Sequence, residues 1–105
     1  MTARYTRRVG SLDEDAILAA FSREGLTPHG WSNPPGDAYA VHSHSYEKLL
    51  FCLRGSIIFR LPATDESIEL HPGDRLEIDA AAEHEALVGA NGVTCIEAAR
   101  TAGRR

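Results

Sequence analysis

Gly36-Asp37-Ala38-Tyr39-Ala40-Val41-His42-Ser43-His44-Ser45-Tyr46-Glu47-Lys48-Leu49-Leu50-Phe51-Cys52-Leu53-Arg54-Gly55 is the most informative stretch of this chain. Its first half alternates, placing Ala38, Ala40, His42 and His44 on one face of a strand. Residues two apart in a strand lie roughly 6.6 Å apart along the chain. A metal–nitrogen bond is about 2.0–2.1 Å, so two imidazoles can span that gap and converge on one ion. A His-x-His pair alone is common on protein surfaces, and two histidines make an incomplete site. A third ligand must come from another strand. His84, which opens a later strand after a loop, is the best candidate. His29 and His71 read as loop or strand-edge residues without a partner.

The second half, Glu47–Leu53, is apolar on both faces and is expected to be buried on both. Lys48, Leu50 and Cys52 share one face. If the histidines point inward, these three are the expected neighbours in the pocket. Leu49, Phe51 and Leu53 share the other face and need cover from a helix or a second subunit. Leaving them exposed would cost on the order of 1.5–3 kcal/mol each, which leads to the expectation of a homodimer.

Further along, Arg54-Gly55 reads as a turn into a strand over Ser56–Leu61. A polar loop at Ala63–Glu66 precedes a short strand at Ser67–Leu70. Pro72-Gly73 favours a type II turn. Strands follow at Arg75–Ile78 and His84–Val88, and Asn91-Gly92 reads as a hairpin joining the latter to Val93–Ala98. Toward the N-terminus, Asn33-Pro34-Pro35-Gly36-Asp37 is a break. Before it lies one convincing helix, from about Leu12 to Glu24. Ser11 and Glu14 form its capping box, Ala16, Ile17, Ala20 and Phe21 its apolar stripe, and Gly25 its stop. Seven or eight short strands with no helix between them predict an all-β fold, an antiparallel sandwich or barrel with one short N-terminal α-helix.

The 105 residues suffice for one domain, with 43% hydrophobic and 25% charged residues. Residues 1–10 and 100–105 read as flexible ends around a single domain over residues 11–99. The net charge is -4, and six of the eleven basic residues lie near the ends: Arg4, Arg7, Arg8, Arg100, Arg104 and Arg105. No basic face for nucleic acid is expected. No membrane span and no signal-peptide core are legible, so the chain reads as cytoplasmic. Cys52 and Cys95 form no C-x-x-C pair and read as buried, reduced thiols.

Gly36, five residues, His42-x-His44, three residues, Lys48, six residues, Gly55, then Pro72-Gly73-Asp74 and His84: this pattern resembles the two motifs of the cupin superfamily over roughly Gly36 to Gly92. It also resembles a group of small one-domain cupins that carry a preceding helix and have no assigned reaction. The resemblance implies a jelly-roll-like cupin β-barrel. It implies that His42, His44 and His84 hold one divalent transition metal, be it zinc, iron, nickel, copper or cobalt. Lys48 stands where such cupins carry a glutamate, and adjacent Glu47 points to the opposite face. Asp79, Ala81 and Val88 also depart from the second motif.

Three arrangements are open at Lys48. First, the site is a three-histidine centre completed by water or substrate, with Lys48 swung aside and able to hold an anionic group. Second, Lys48 is neutral through desolvation and the nearby cation. Third, the site lacks metal, and Lys48 with the histidines binds an anion. The first ranks ahead. The functional expectations follow: a metal-dependent small-molecule enzyme of dioxygenase or isomerase type, a non-enzymatic ligand-binding or sensing cupin, or a metal-free anion binder. Tyr39 and Tyr46 read as packing or rim residues, and Trp31 as a buried or dimer-contact aromatic.

Overall fold

The computed structural model describes residues 3–6 and 14–100. Seven strands, β1 (Ala3–Thr6), β2 (His29–Asn33), β3 (Ala38–His42), β4 (Glu47–Leu61), β5 (Glu66–Leu70), β6 (Arg75–Ile78) and β7 (His84–Arg100), accompany one helix, α1 (Glu14–Arg23). All strand pairings are antiparallel. The order is β1-β6-β4-β7-β2, with β3 on β7 and β5 on β4. The long strands β4 and β7 run side by side and carry other strands along their outer edges, β6 and β5 on β4, β2 and β3 on β7.

Leu49, Phe51 and Leu53 are buried against Ile17 and Phe21 of α1, with the Phe21 and Phe51 rings edge to face at 5.4 Å. The apolar face that motivated a homodimer is therefore covered within the chain. Leu50 and Cys52, on the opposite face, join Ile57, Phe59, Leu70, Leu76, Ile78, Val93 and Cys95 in the barrel core. Burial on both faces of this segment is as the sequence predicts. Cys52 and Cys95 are register partners, both free and buried. The helix ends in a Schellman motif. The Leu26 N–H donates to Phe21 O, the Gly25 N–H donates to Ser22 O, and Gly25 adopts φ 73°. Residue 11 of the expected capping box, and residues 12 and 13 of the expected helix, lie outside the described residues.

Two expected turns do not exist as turns. Arg54-Gly55 lies inside β4 and Asn91-Gly92 inside β7, each strand running continuously through. The register shifts between Cys52 and Arg54 and again between Gly55 and Ile57. Gly55 pairs with Val93 and Ile57 with Val88, so residues 89–92 form an excursion on β7. Gly55 (φ 74°) and Gly92 (φ 77°) supply the left-handed residues that a bulge needs. An Asn-Gly pair offers the same φ to a hairpin or to a bulge, and here the bulge bends the strand between the two halves of the barrel.

Those parts of the expected flexible ends that lie among the described residues, 3–6 and 100, are paired as strand. Ala3–Thr6, expected within a flexible leader, pairs with β6. Arg4 forms ion pairs with Glu77 and Asp79. Arg100, expected in the tail, is the last residue of β7 and pairs with Glu24 and Glu47. At the Pro72-Gly73 turn the Asp74 N–H donates to His71 O at 2.9 Å and Gly73 adopts φ 94°, which is type II geometry. Buried Asp74 accepts from the His71 N–H and the Tyr5 hydroxyl, so this part of the motif is structural.

Candidate metal centre

His42 ends β3 and His84 begins β7, and the two are register partners. His44 lies just beyond β3, where the Ala81 N–H donates to its carbonyl at 2.7 Å and ties it to the loop before β7. One ring nitrogen from each of the three histidines lies within 4.8 Å of the others. Ring centroids are 5.0 Å apart for His42–His44, 4.4 Å for His42–His84 and 5.3 Å for His44–His84. Small ring rotations would bring these nitrogens to the roughly 3–4 Å separation of atoms sharing one ion.

The backbone sets the tautomers. His42 Nδ1 lies 2.7 Å from Ala40 O, and His84 Nδ1 lies 2.9 Å from Ala82 O. A carbonyl only accepts, so both Nδ1 atoms carry the proton and both Nε2 atoms present a lone pair. His84 Nε2 is buried with no hydrogen-bond partner, and so is His44 Nδ1. Two buried ring nitrogens without a partner, on rings whose centroids lie 5.3 Å apart, are costly unless something satisfies them. A divalent cation does so, and the donor set fits one.

Burial pushes the His84 imidazolium down to about 4. The Ala82 hydrogen bond offsets this only in part, and His42, Lys48 and His44 lower it further. The His44 value is also lowered, by desolvation and then by Lys48 and His42. Both rings are therefore neutral at neutral pH, the form that ligates.

A cavity of about 290 Å³ opens beside the group, and His42 faces it. Trp31, Tyr39 and Phe59 form its aromatic walls, with His29, Lys48 and Glu97 at a polar end. Lys48 Nζ lies 3.4 Å from Glu97 Oε1, and Trp31 Nε1 donates to the same oxygen at 2.7 Å. His29 Nε2 lies 3.8 Å from the other carboxylate oxygen. The Tyr39 hydroxyl donates to Asn33, which turns it toward the rim.

Of the residues expected around the pocket, Lys48 lines the cavity, whereas Leu50 and Cys52 lie in the core. Glu47 points to the outer face and pairs with Arg100, as alternation requires. His29, read as partnerless, faces the cavity beside Glu97, and Trp31 is a cavity wall. His71 is exposed and lies 3.3 Å from Glu69. Glu97 is a site residue that the sequence motifs do not reveal. The available signal is its place two residues after buried Cys95, a carboxylate on the inward, apolar face of a strand.

No known protein-family description matches the chain, and neither does any curated protein. Solved structures match it well in fold. An acireductone dioxygenase from Bacillus anthracis, with a cadmium ion in its active centre, aligns at TM-score 0.67 and 20% identity, covering 95% of this chain and 79% of that one. An RmlC-like cupin from Shewanella frigidimarina aligns at 0.63 and 18% identity over 75% and 68%. The ketoisomerase QdtA from Thermoanaerobacterium thermosaccharolyticum aligns at 0.58 and 21% identity over 75% and 60%. The chain has the cupin fold. It carries a three-histidine group able to hold a divalent metal ion.

Proposed function

We propose that this protein is a divalent-metal cupin that uses His42, His44 and His84 as ligands and acts on a small molecule held in the adjoining cavity. The observation that carries this reading is that one ring nitrogen from each of the three histidines lies within 4.8 Å of the others, with a buried, unpartnered nitrogen on both His44 and His84. When bound, the ion supplies Lewis acidity and an open coordination position to whatever enters from the His42 side. The chain does the rest. Ala40 and Ala82 hold two rings in the ligating tautomer, Trp31 and Phe59 exclude water from one side, and Lys48, paired with Glu97, lines the polar end of the cavity.

An enzyme is favoured over a passive binder because the cavity reaches one member of the histidine group, His42. Metal-dependent dioxygenase and isomerase chemistry are the classes to assay first, since fold neighbours include an acireductone dioxygenase and a ketoisomerase. The metal-free anion-binding alternative is weakened by Glu97, which already occupies Lys48. Elemental analysis of tag-free protein tests the reading. One equivalent of a transition metal that is lost in H84A supports it, and metal-free wild-type protein that also fails to take up added Zn2+, Co2+, Ni2+ or Fe2+ refutes it. Turnover that disappears on chelation and returns with metal separates an enzyme from a sensor.

A cytoplasmic location remains part of this proposal, supported by register partners Cys52 and Cys95 standing free. No helix among the described residues is long and apolar enough to cross a membrane. With α1 covering Leu49, Phe51 and Leu53, a homodimer would have to use a different surface, and exposed Ile58 and Leu87, register partners on β4 and β7, are its best anchors.

A further inference from the structure

A lysine beside a cation site calls for compensation, and the compensating group is built in. We propose that Glu97 is a positioning residue: its carboxylate holds the Lys48 ammonium and offsets its charge, so that the three imidazoles can keep a divalent cation. This rests on the metal reading above.

The placement follows from register. Leu50 lies opposite Glu97 on adjacent strands, so Lys48, two residues earlier on the same face, is the diagonal neighbour of Glu97. Their side chains are only 13% and 12% exposed, which keeps the pair largely out of bulk water. Glu97 is fixed independently of Lys48. The Trp31 indole N–H holds one oxygen from β2, and His29, the register partner of Glu97, flanks the other. The carboxylate is thus anchored, and the flexible lysine stem comes to it.

Lys48 and Glu97 line the same cavity as His42. A divalent ion held by that ring lies in the field of both charges, which act on it with opposite sign. Glu97 is not among the groups within 4.8 Å of one another, so its contribution is charge balance without coordination. The negative charge that a ligand carboxylate would bring sits on the neighbouring strand instead.

The test is a double-mutant cycle read by metal affinity. Co2+ is titrated into tag-free, metal-stripped protein by calorimetry and followed through its visible absorption. Wild type should bind one equivalent. E97Q keeps an acceptor for Trp31 but loses the charge, and should bind about tenfold more weakly or worse. K48M should bind at least as tightly as wild type, and E97Q/K48M should recover to within about threefold of it. E97Q binding like wild type overturns the proposal, as does a double variant that stays as weak as E97Q. K48M losing affinity overturns it even if E97Q fails to fold. Wild-type protein that binds no Co2+ would instead remove the metal reading itself, together with this one.

Discussion

His42 and His84 face each other across the antiparallel pair β3–β7, their ring centroids 4.4 Å apart. One comes from the end of a strand and the other from the start of another. The register of a single pairing therefore brings together residues 42 positions apart in sequence. A slip of one residue would turn one of the two rings to the other face of the barrel.

Removing His84 should abolish metal retention. Its ring is 1% exposed, its Nδ1–H is held by Ala82, and its Nε2 has no other partner. Elemental analysis and Co2+ titration of H84A should show a loss of about two orders of magnitude or more in affinity. The exposed His71, 58% exposed at its side chain, is the control, and H71A should match wild type. Equal metal content in the two variants would mean that His84 is not a ligand.

The metal-free protein should lose stability on mild acidification. His84 is held neutral down to about 4, whereas in the unfolded chain it takes a proton near 6.5. Between those values the unfolded state binds more protons, so stability is intact above about pH 6.5 and falls as pH drops toward 4. The contribution is at most roughly 3 kcal/mol. Urea melts of stripped wild type at several pH values should show this slope, and H84Q should flatten it. Parallel curves for the two would assign the acid sensitivity elsewhere.

Helix α1 should matter to stability more than to the metal. Phe21 is fully buried and meets Phe51 at 5.4 Å. F21A should cost about 3–5 kcal/mol in denaturant melts. The helix packs on the face of β4 opposite the cavity, so folded F21A at low temperature should keep its Co2+ affinity. A change of tenfold or more would show that the outer face and the ligand group are mechanically linked.

Much of this architecture is legible in the sequence because it depends on local pattern. The two-sided apolar run at Leu49–Leu53, the helix stop at Gly25 and the type II turn at Pro72-Gly73 each have a local physical cause. The His42, His44 and His84 group is legible from the His-x-His spacing and the strand start at His84, although plain alternation fails here: β3 shifts register between Tyr39 and His42, and His44 lies beyond its end. Glu97 and His29 are not, because their roles exist only once β2, β7 and β4 lie side by side. Nothing in the run Val93–Ala98 states which strand will flank it. Arg54-Gly55 and Asn91-Gly92 mislead for a different reason: a positive-φ glycine serves a hairpin and a bulge equally well, and only the pairing of β4 with β7 distinguishes them.

That distinction can be measured. Gly36 and Gly55 have nearly the same backbone, φ 78° and φ 74°. A Cβ on Gly36 would meet nothing within 4 Å, whereas one on Gly55 would lie 1.9 Å from the Gly92 carbonyl oxygen. G36A therefore carries only the cost of a left-handed alanine, about 1–2 kcal/mol. G55A carries the same cost and must also force β4 and β7 apart at their bulges, adding at least another ~1–3 kcal/mol. Denaturant midpoints should fall in the order wild type, G36A, G55A, with a clear gap between the two variants. If the variants coincide, the strands are free to separate at that point, and the close crossing of Gly55 over Gly92 contributes nothing to holding the two halves of the barrel together.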